Sequence, residues 1–230
     1  DWARVLSLKA EQNDGRSGEL WAATARKYAL AVARGGAEDE TAAVNWHNWA
    51  YALSSLAESR ATDGSRLKLL GQAAIKYEKA ASLNGDNLIT LENWGVLLGD
   101  MAELVDEPKE VERLSSEASE KFERAARLYP GQAGSWRRWS AHLQDRARAE
   151  RNPARRRELW QAALDKLENG VQADPEEAAT WVMWGQTLSE LYWEGAEYEK
   201  PLLISAIIEK YEKALDLEAD DQAGVWTLLG

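Results

Sequence analysis

The 230-residue chain contains no cysteine, which excludes disulfides, thiolate metal sites and a cysteine nucleophile. The redox compartment stays open, because a chain without thiols is stable in either setting. The sequence also lacks any apolar run close to the roughly 18 residues that a membrane-spanning helix requires. We therefore expect no spanning helix, and the sequence leaves the localisation unknown.

Basic residues are outnumbered by acidic ones. The chain has 28 Lys and Arg against 39 Asp and Glu, a net charge of −11 and a pI of 4.9. Broad binding to nucleic acid or to an anionic membrane needs a basic face. The charge balance therefore disfavours a nucleic-acid partner.

Tryptophan, in contrast, is abundant, with 12 residues against a single Phe. One column repeats every 45 residues, at Trp49, Trp94, Trp139 and Trp184. A second column lies three residues earlier, at Trp46, Leu91, Trp136 and Trp181. A third row, followed three residues later by small side chains, comprises Tyr28, Tyr77, Phe122, Leu167 and Tyr211. So many aligned columns indicate an internal repeat.

Each repeat has the pattern of two amphipathic helices. Trp46, Trp49, Leu53 and Leu56 follow the three- and four-residue steps of one helical face, and a second such face is centred on Tyr77. Prolines suit helix starts and boundaries, and all five lie between these faces, at Pro108, Pro130, Pro153, Pro175 and Pro201. The pairs Asp63-Gly64 and Asn84-Gly85 predict further turns. The fold class is therefore predicted to be all-α.

The residues of the two helices resemble the tetratricopeptide repeat (TPR) family over nearly the whole chain. The first helix has a W-x-x-W-G pattern, as at Trp181, Trp184 and Gly185, and the second has an aromatic residue followed by a small one, as in the segments KYEKA and KFERA at 76–80 and 121–125. From Ala50 to Tyr77 the spacing exceeds the family's usual spacing by about 11 residues, close to three helical turns. The resemblance implies a long-helix variant, a right-handed α-solenoid of antiparallel helix pairs.

The Trp columns are interpreted as packing residues between helices. Stacking of a sugar or a cofactor on Trp49 or Trp139 is the alternative that the sequence leaves open. No motif supports a cofactor, so we predict none.

The repeat divides the chain into a single TPR-like array over 1–230. Its segments are a partial first unit at 1–36, full units at 41–85, 86–130, 131–175 and 176–220, and the start of a further unit at 221–230. The last residues include Val225, Trp226, Leu228 and Leu229, which are apolar, whereas solenoid ends are normally closed by a polar cap. We therefore expect the chain to be part of a longer array, or a partner to cover its ends.

Catalytic and metal motifs are missing. The two histidines, His47 and His142, occupy different repeat columns, and neither has the spacing of a metal-ligand pair. No phosphate-binding glycine motif occurs, and no Ser-His or Cys-His arrangement accompanies the carboxylates. We predict neither an enzyme nor a metal site.

The family resemblance implies a concave groove lined by the first helices of successive units. The residues placed there are His47, Asn48, Tyr51, Glu92, Asn93, Val96, Arg137, Arg138, Met183 and Gln186. Asn48, Asn93 and Arg138 occupy one column, and their amides and guanidinium suit a peptide backbone and a carboxylate. The family's clamp for acidic chaperone tails is matched only in part, because His47 and Gly134 replace its lysines and Tyr51 replaces its first Asn.

An arginine-rich turn reverses the local sign of charge. Besides Arg137 and Arg138, the basic patch comprises Arg146, Arg148, Arg151, Arg155, Arg156 and Arg157. Two interpretations stay open: a solvated turn whose arginines pair with nearby glutamates, or a docking patch for an acidic partner.

Together these features predict a noncatalytic scaffold that binds a partner peptide or protein on its concave face. The alternative is a permanent structural or assembly subunit of a larger complex. A third reading is the substrate-selecting arm of an enzyme whose catalytic domain lies outside these residues.

Overall fold

The computed structural model describes residues 2–11, 17–35, 40–59 and 62–217. Within these residues it contains ten α-helices and no strand, so the all-α prediction is confirmed. The chain divides into two compact units, residues 1–121 and 122–230, which are described separately.

The first unit contains five helices and most of a sixth. They are α1 (Trp2–Glu11), α2 (Ser17–Gly35), α3 (Glu40–Glu58), α4 (Asp63–Leu83), α5 (Leu88–Glu103) and the larger part of α6 (Pro108–Leu128). Consecutive helices from α1 to α5 pack on each other, and α3 also contacts α5. Short connections between neighbouring helices make them antiparallel.

The second unit contains the end of α6 and four complete helices. These are α7 (Ala133–Ala149), α8 (Pro153–Ala173), α9 (Ala178–Glu194) and α10 (Lys200–Leu217). Consecutive helices from α7 to α10 pack on each other, and α7 also contacts α9. The single array over 1–230 stays a prediction, and the further unit at 221–230, with Val225, Trp226, Leu228 and Leu229, lies outside the described residues.

Helix boundaries follow from local chemistry. Pro108 and Pro153 are the first residues of α6 and α8, where the missing N–H of proline costs no hydrogen bond. Before Pro153, the Asn152 side chain accepts hydrogen bonds from the N–H groups of Ala154 and Arg155. The predicted turn at Asn84-Gly85 separates α4 from α5, but Asp63-Gly64 opens α4, because Thr62 caps that helix.

Close packing of large against small side chains holds the helix pairs within each unit together. Tyr77, Leu167 and Tyr211, from the second helices α4, α8 and α10, are buried, and so are the small residues Ala50, Ser140 and Gly185 of the first helices α3, α7 and α9. A methyl group at Gly185 would lie 2.8 Å from the Tyr211 ring. Since real side chains do not approach this closely, the Tyr211 ring occupies the space that a larger residue at 185 would need.

The repeated tryptophans pack in a way that the sequence does not reveal. Trp46 and Trp49 stack with ring centroids 5.4 Å apart, and the Trp136–Trp139 and Trp181–Trp184 pairs stack at 5.9 Å and 5.8 Å. These side chains are half-buried. In each helix pair, a lysine of the second helix lies over the tryptophan of the Trp49 column: Lys76 over Trp49, Lys121 over Trp94, Lys166 over Trp139 and Lys210 over Trp184. A lysine ammonium thus lies over one face of each of these rings.

Candidate functional site

The first helices of the first unit leave one stripe of side chains accessible. Tyr51 on α3 and Val96 on α5 are exposed, and Asn48 and Asn93, one helical turn before them, are half-buried. The four residues occupy matching positions of the two helices. Tyr51 packs edge-on against the Trp21 ring of α2 at 5.6 Å, which holds its ring in one orientation.

A buried tyrosine on the neighbouring helix α4 contacts Asn93. The Tyr77 hydroxyl forms hydrogen bonds with Ser54 and with Asn93, and burial raises the pKa of Tyr77 far above its usual value. The phenol therefore stays neutral, and it fixes the Asn93 amide relative to α4. In this way the packing of one helix pair positions a polar group on the next.

The neighbouring column lies between first helices, where its members are half-buried or buried. His47 Nδ1 on α3 lies 3.0 Å from Thr90 Oγ1 on α5, and the Thr90 hydroxyl donates to Asn87 Oδ1 at 2.9 Å. We assign the His47 Nδ1–H as the donor to Thr90, since the threonine proton is already used. Burial lowers the pKa of His47 to about 4. Glu92, in the same column, is buried.

In the second unit the predicted residues divide in the same way. Arg138 on α7 and Gln186 on α9 are exposed. Arg137 is half-buried and lies 3.2 Å from the Glu177 carboxylate at the start of α9. Met183 packs against the core cluster that contains Trp160. The residues predicted to line the groove therefore fall into two groups. Some are accessible to solvent, and others pack between one first helix and the next.

The basic patch is largely engaged in ion pairs within the second unit. Arg156 lies 2.7 Å from Glu194, Arg157 lies 2.6 Å from Glu199, and Arg148 lies 3.6 Å from Glu190. Arg155 faces Glu150 at 3.8 Å. The hydrogen bond from Arg157 holds the pKa of Glu199 below its usual value. These contacts attach the α7–α8 turn to the α9–α10 turn, and Arg151 and Arg155 are exposed beside them.

An exposed apolar cluster, which the sequence did not predict, lies at the same end of the second unit. Trp193, Tyr198 and Leu202 are 78 %, 81 % and 77 % exposed, and we call these three residues the turn patch. They belong to the end of α9, the α9–α10 turn and the start of α10. In the preceding helix pair, Arg148 and Arg155 occupy the helix positions that match Trp193 and Leu202. The change from arginine to an apolar residue at these two positions was the signal in the sequence that could have revealed the cluster.

The described residues contain neither a membrane-spanning helix nor a cluster of metal ligands. No helix among them is long and apolar enough to cross a membrane. No group of three or more His, Asp or Glu side chains in that part of the chain could hold a metal ion.

Comparison with solved structures identifies the class of fold. The chain is similar to MamA 41-end from Desulfovibrio magneticus RS-1, with a TM-score of 0.57, 13 % identity and coverage of 97 % of this chain and 98 % of that one. The MamA RS-1 ArsTM double mutant matches with the same TM-score and coverage at 15 % identity. YrrB, a TPR protein with an unusual peptide-binding site, covers 86 % of this chain and 95 % of its own at 19 % identity, with a TM-score of 0.33.

Neither a family model nor a curated protein sequence matches the chain. The helix pairs and the two MamA structures nevertheless show a TPR-like solenoid fold, as the sequence predicted. At these identities the likeness establishes the fold alone.

Proposed function

We propose that the protein is a noncatalytic interaction scaffold that binds a peptide or protein on the concave face formed by its first helices. One observation carries the proposal: α3 and α5 present the same accessible pattern, an Asn followed three residues later by an exposed Tyr51 or Val96. A repeated surface of this kind suits a ligand that runs across several helices.

The chemistry of this stripe fits an extended chain. Each Asn amide both donates and accepts, so Asn48 and Asn93 can each bind a peptide group of the ligand. Tyr51 and Val96 supply apolar contact area beside them. In the second unit, exposed Arg138 in the same column offers a planar donor pair for a carboxylate.

Partner capture by matched variants tests this proposal. The full chain, Tyr51→Ser/Val96→Ser and Ile75→Ser are compared as baits; Ile75 is an exposed residue of the second helix α4 and serves as the control. We expect partners to be retained by the wild type and the control and lost by the double variant. Retention of the same partners by the double variant would contradict binding on the first helices.

A permanent structural subunit is the second candidate, and exposed Leu30 and Ile75 on the second helices α2 and α4 favour it, because isolated subunits present apolar surface. Size-exclusion chromatography after dilution separates the two functions. A permanent complex keeps its size and stoichiometry, whereas a transiently bound partner dissociates and leaves a monomer.

A further inference from the structure

The turn patch stands out from the rest of the described surface. Trp193, Tyr198 and Leu202 are each more than three-quarters exposed, while the next most exposed large apolar residues, Ile75 and Ile89, are below 60 %. With roughly 150–250 Å² for each large aromatic side chain, the three expose about 400 Å² of largely apolar surface. Exposed apolar patches of this size on single chains are often functional.

Contacts around the turn order the backbone that carries this patch. The Glu199 carboxylate accepts from the Ala196 N–H at 2.9 Å and from Arg157 at 2.6 Å. Trp193 packs edge-on against Tyr192 at 5.1 Å, and Lys200 lies over the other ring of that pair. A surface that is already ordered loses little conformational entropy when it binds.

Arginines flank the patch on one side. Arg148 and Trp193 are each the sixteenth residue of a 17-residue helix, and Arg155 and Leu202 are each the third residue of theirs. Glu194 directly follows Trp193, and Arg156 directly follows Arg155. The contact between Glu194 and Arg156 therefore brings the end of α9 close to the start of α8. Exposed Arg151 and Arg155 belong to the turn and the helix start that this contact attaches to the end of α9.

From this juxtaposition we infer that the start of α8, the end of α9 and the turns beside them bind an acidic segment of another protein that carries bulky apolar side chains. The apolar side chains cover Trp193, Tyr198 and Leu202, and the carboxylates pair with Arg151 and Arg155. Trp, Tyr and Arg are the residue types that contribute most to binding at protein interfaces. About 400 Å² is half of one side of a standard interface, which suits a short segment better than a whole folded copy of the chain.

A display selection from a random peptide library, followed by binding measurements, tests the inference on the full chain. Wild type is compared with Trp193→Ser/Tyr198→Ser, with Arg151→Glu/Arg155→Glu, and with the control Ile75→Ser/Ile89→Ser. We expect the wild type and the control to enrich peptides in which Asp or Glu neighbours Trp, Phe or Leu. These peptides should bind the aromatic variant at least tenfold more weakly. The arginine variant should instead enrich Lys and Arg beside the same apolar residues.

Several outcomes would overturn the inference. One is the absence of any peptide whose enrichment depends on Trp193 and Tyr198, or enrichment without acidic residues. Self-association of the wild type that the aromatic variant abolishes would identify a second copy as the occupant. Loss of sedimentation with vesicles of phosphatidylcholine and phosphatidylglycerol in that variant would identify a lipid surface. The selected peptides should also bind Tyr51→Ser/Val96→Ser unchanged, because Tyr51 and Val96 lie outside the turn patch.

Discussion

The Nζ atom of Lys76 lies 4.4 Å from the centroid of the Trp49 ring, on the neighbouring helix of the same pair. Lys166 lies over Trp139 at 4.3 Å in the corresponding place, and Lys121 and Lys210 lie over Trp94 and Trp184 at 4.6 Å. Each of these lysines immediately precedes the buried residue of the third row. The lysine side chain therefore packs as part of the helix interface and is more than a solvated charge.

Replacing Lys76 with Met should remove the cation–π attraction while keeping the length of the side chain. We expect the unfolding free energy to fall by about 1 kcal/mol, the usual range for a partly desolvated pair. Urea unfolding followed by circular dichroism measures the change. Lys68→Met, at an exposed position of the same helix, is the control, and equal effects of the two substitutions would argue against a role for the ring contact.

Gly185→Ala should destabilise the α9–α10 pair by about 1–3 kcal/mol, because the new methyl group meets the Tyr211 ring at 2.8 Å. Gly71→Ala is a matched test in α4, where nothing lies within 4 Å of the added atom. That substitution should stabilise the chain by about 0.5–1 kcal/mol through helix propensity. Thermal melting of both variants checks the opposite signs, and melting shifts of the same sign would be inconsistent with this packing.

Stability should decrease between pH 6.5 and pH 4 partly because of His47. Burial lowers the pKa of His47 from 6.5 to about 4. In this window the unfolded chain binds the proton and the folded chain does not, so the stabilisation is complete above pH 6.5 and is lost as the pH falls to 4. The contribution is at most roughly 3 kcal/mol.

His47→Gln provides the comparison, because Gln can still donate to Thr90 but does not titrate. Urea unfolding of both proteins across this range should show a steeper pH dependence for the wild type. Carboxylates contribute equally to both curves, so parallel curves would show that His47 titrates normally in the folded protein.

Tyr77→Phe should affect both stability and the proposed first-helix surface. Removing the hydroxyl leaves Ser54 and Asn93 without that partner, which should cost about 1–2 kcal/mol. The freed Asn93 amide should also weaken partner binding. Tyr198→Phe, on a highly exposed side chain, is the stability control. Unchanged melting and unchanged binding in Tyr77→Phe would show that the hydroxyl contacts matter little.

Much of the architecture was accessible from the sequence because helix packing has a local period. The spacing of Trp49, Tyr77 and their equivalents predicts paired helices, and Pro108 and Pro153 mark helix starts that the structure confirms. Helical faces depend on side chains three or four residues apart, which a pattern records directly.

The candidate surfaces were less accessible because they depend on contacts between distant residues. Burial of His47 reflects Thr90, which lies 43 residues away, and the pairing of Arg157 depends on Glu199, which lies 42 residues away. Adjacent residues of one helix, such as His47 and Asn48, point in different directions. The position of the neighbouring helix determines which of the two side chains is covered. The lysine column was visible in KYEKA, but a charged residue on a helix is ordinarily interpreted as solvent-exposed.

The stacked indoles have an optical consequence. Two indole chromophores whose centroids lie 5.4 to 5.9 Å apart couple their electronic transitions, and a skew between their transition dipoles produces a paired positive and negative band in circular dichroism. The α3, α7 and α9 helices each carry such a pair, whereas α5 has Leu91 in place of the first tryptophan. Substituting one Trp at a time should therefore assign a separate spectral signal to three helix pairs, and each signal would report the opening of its own part of the chain without any added label.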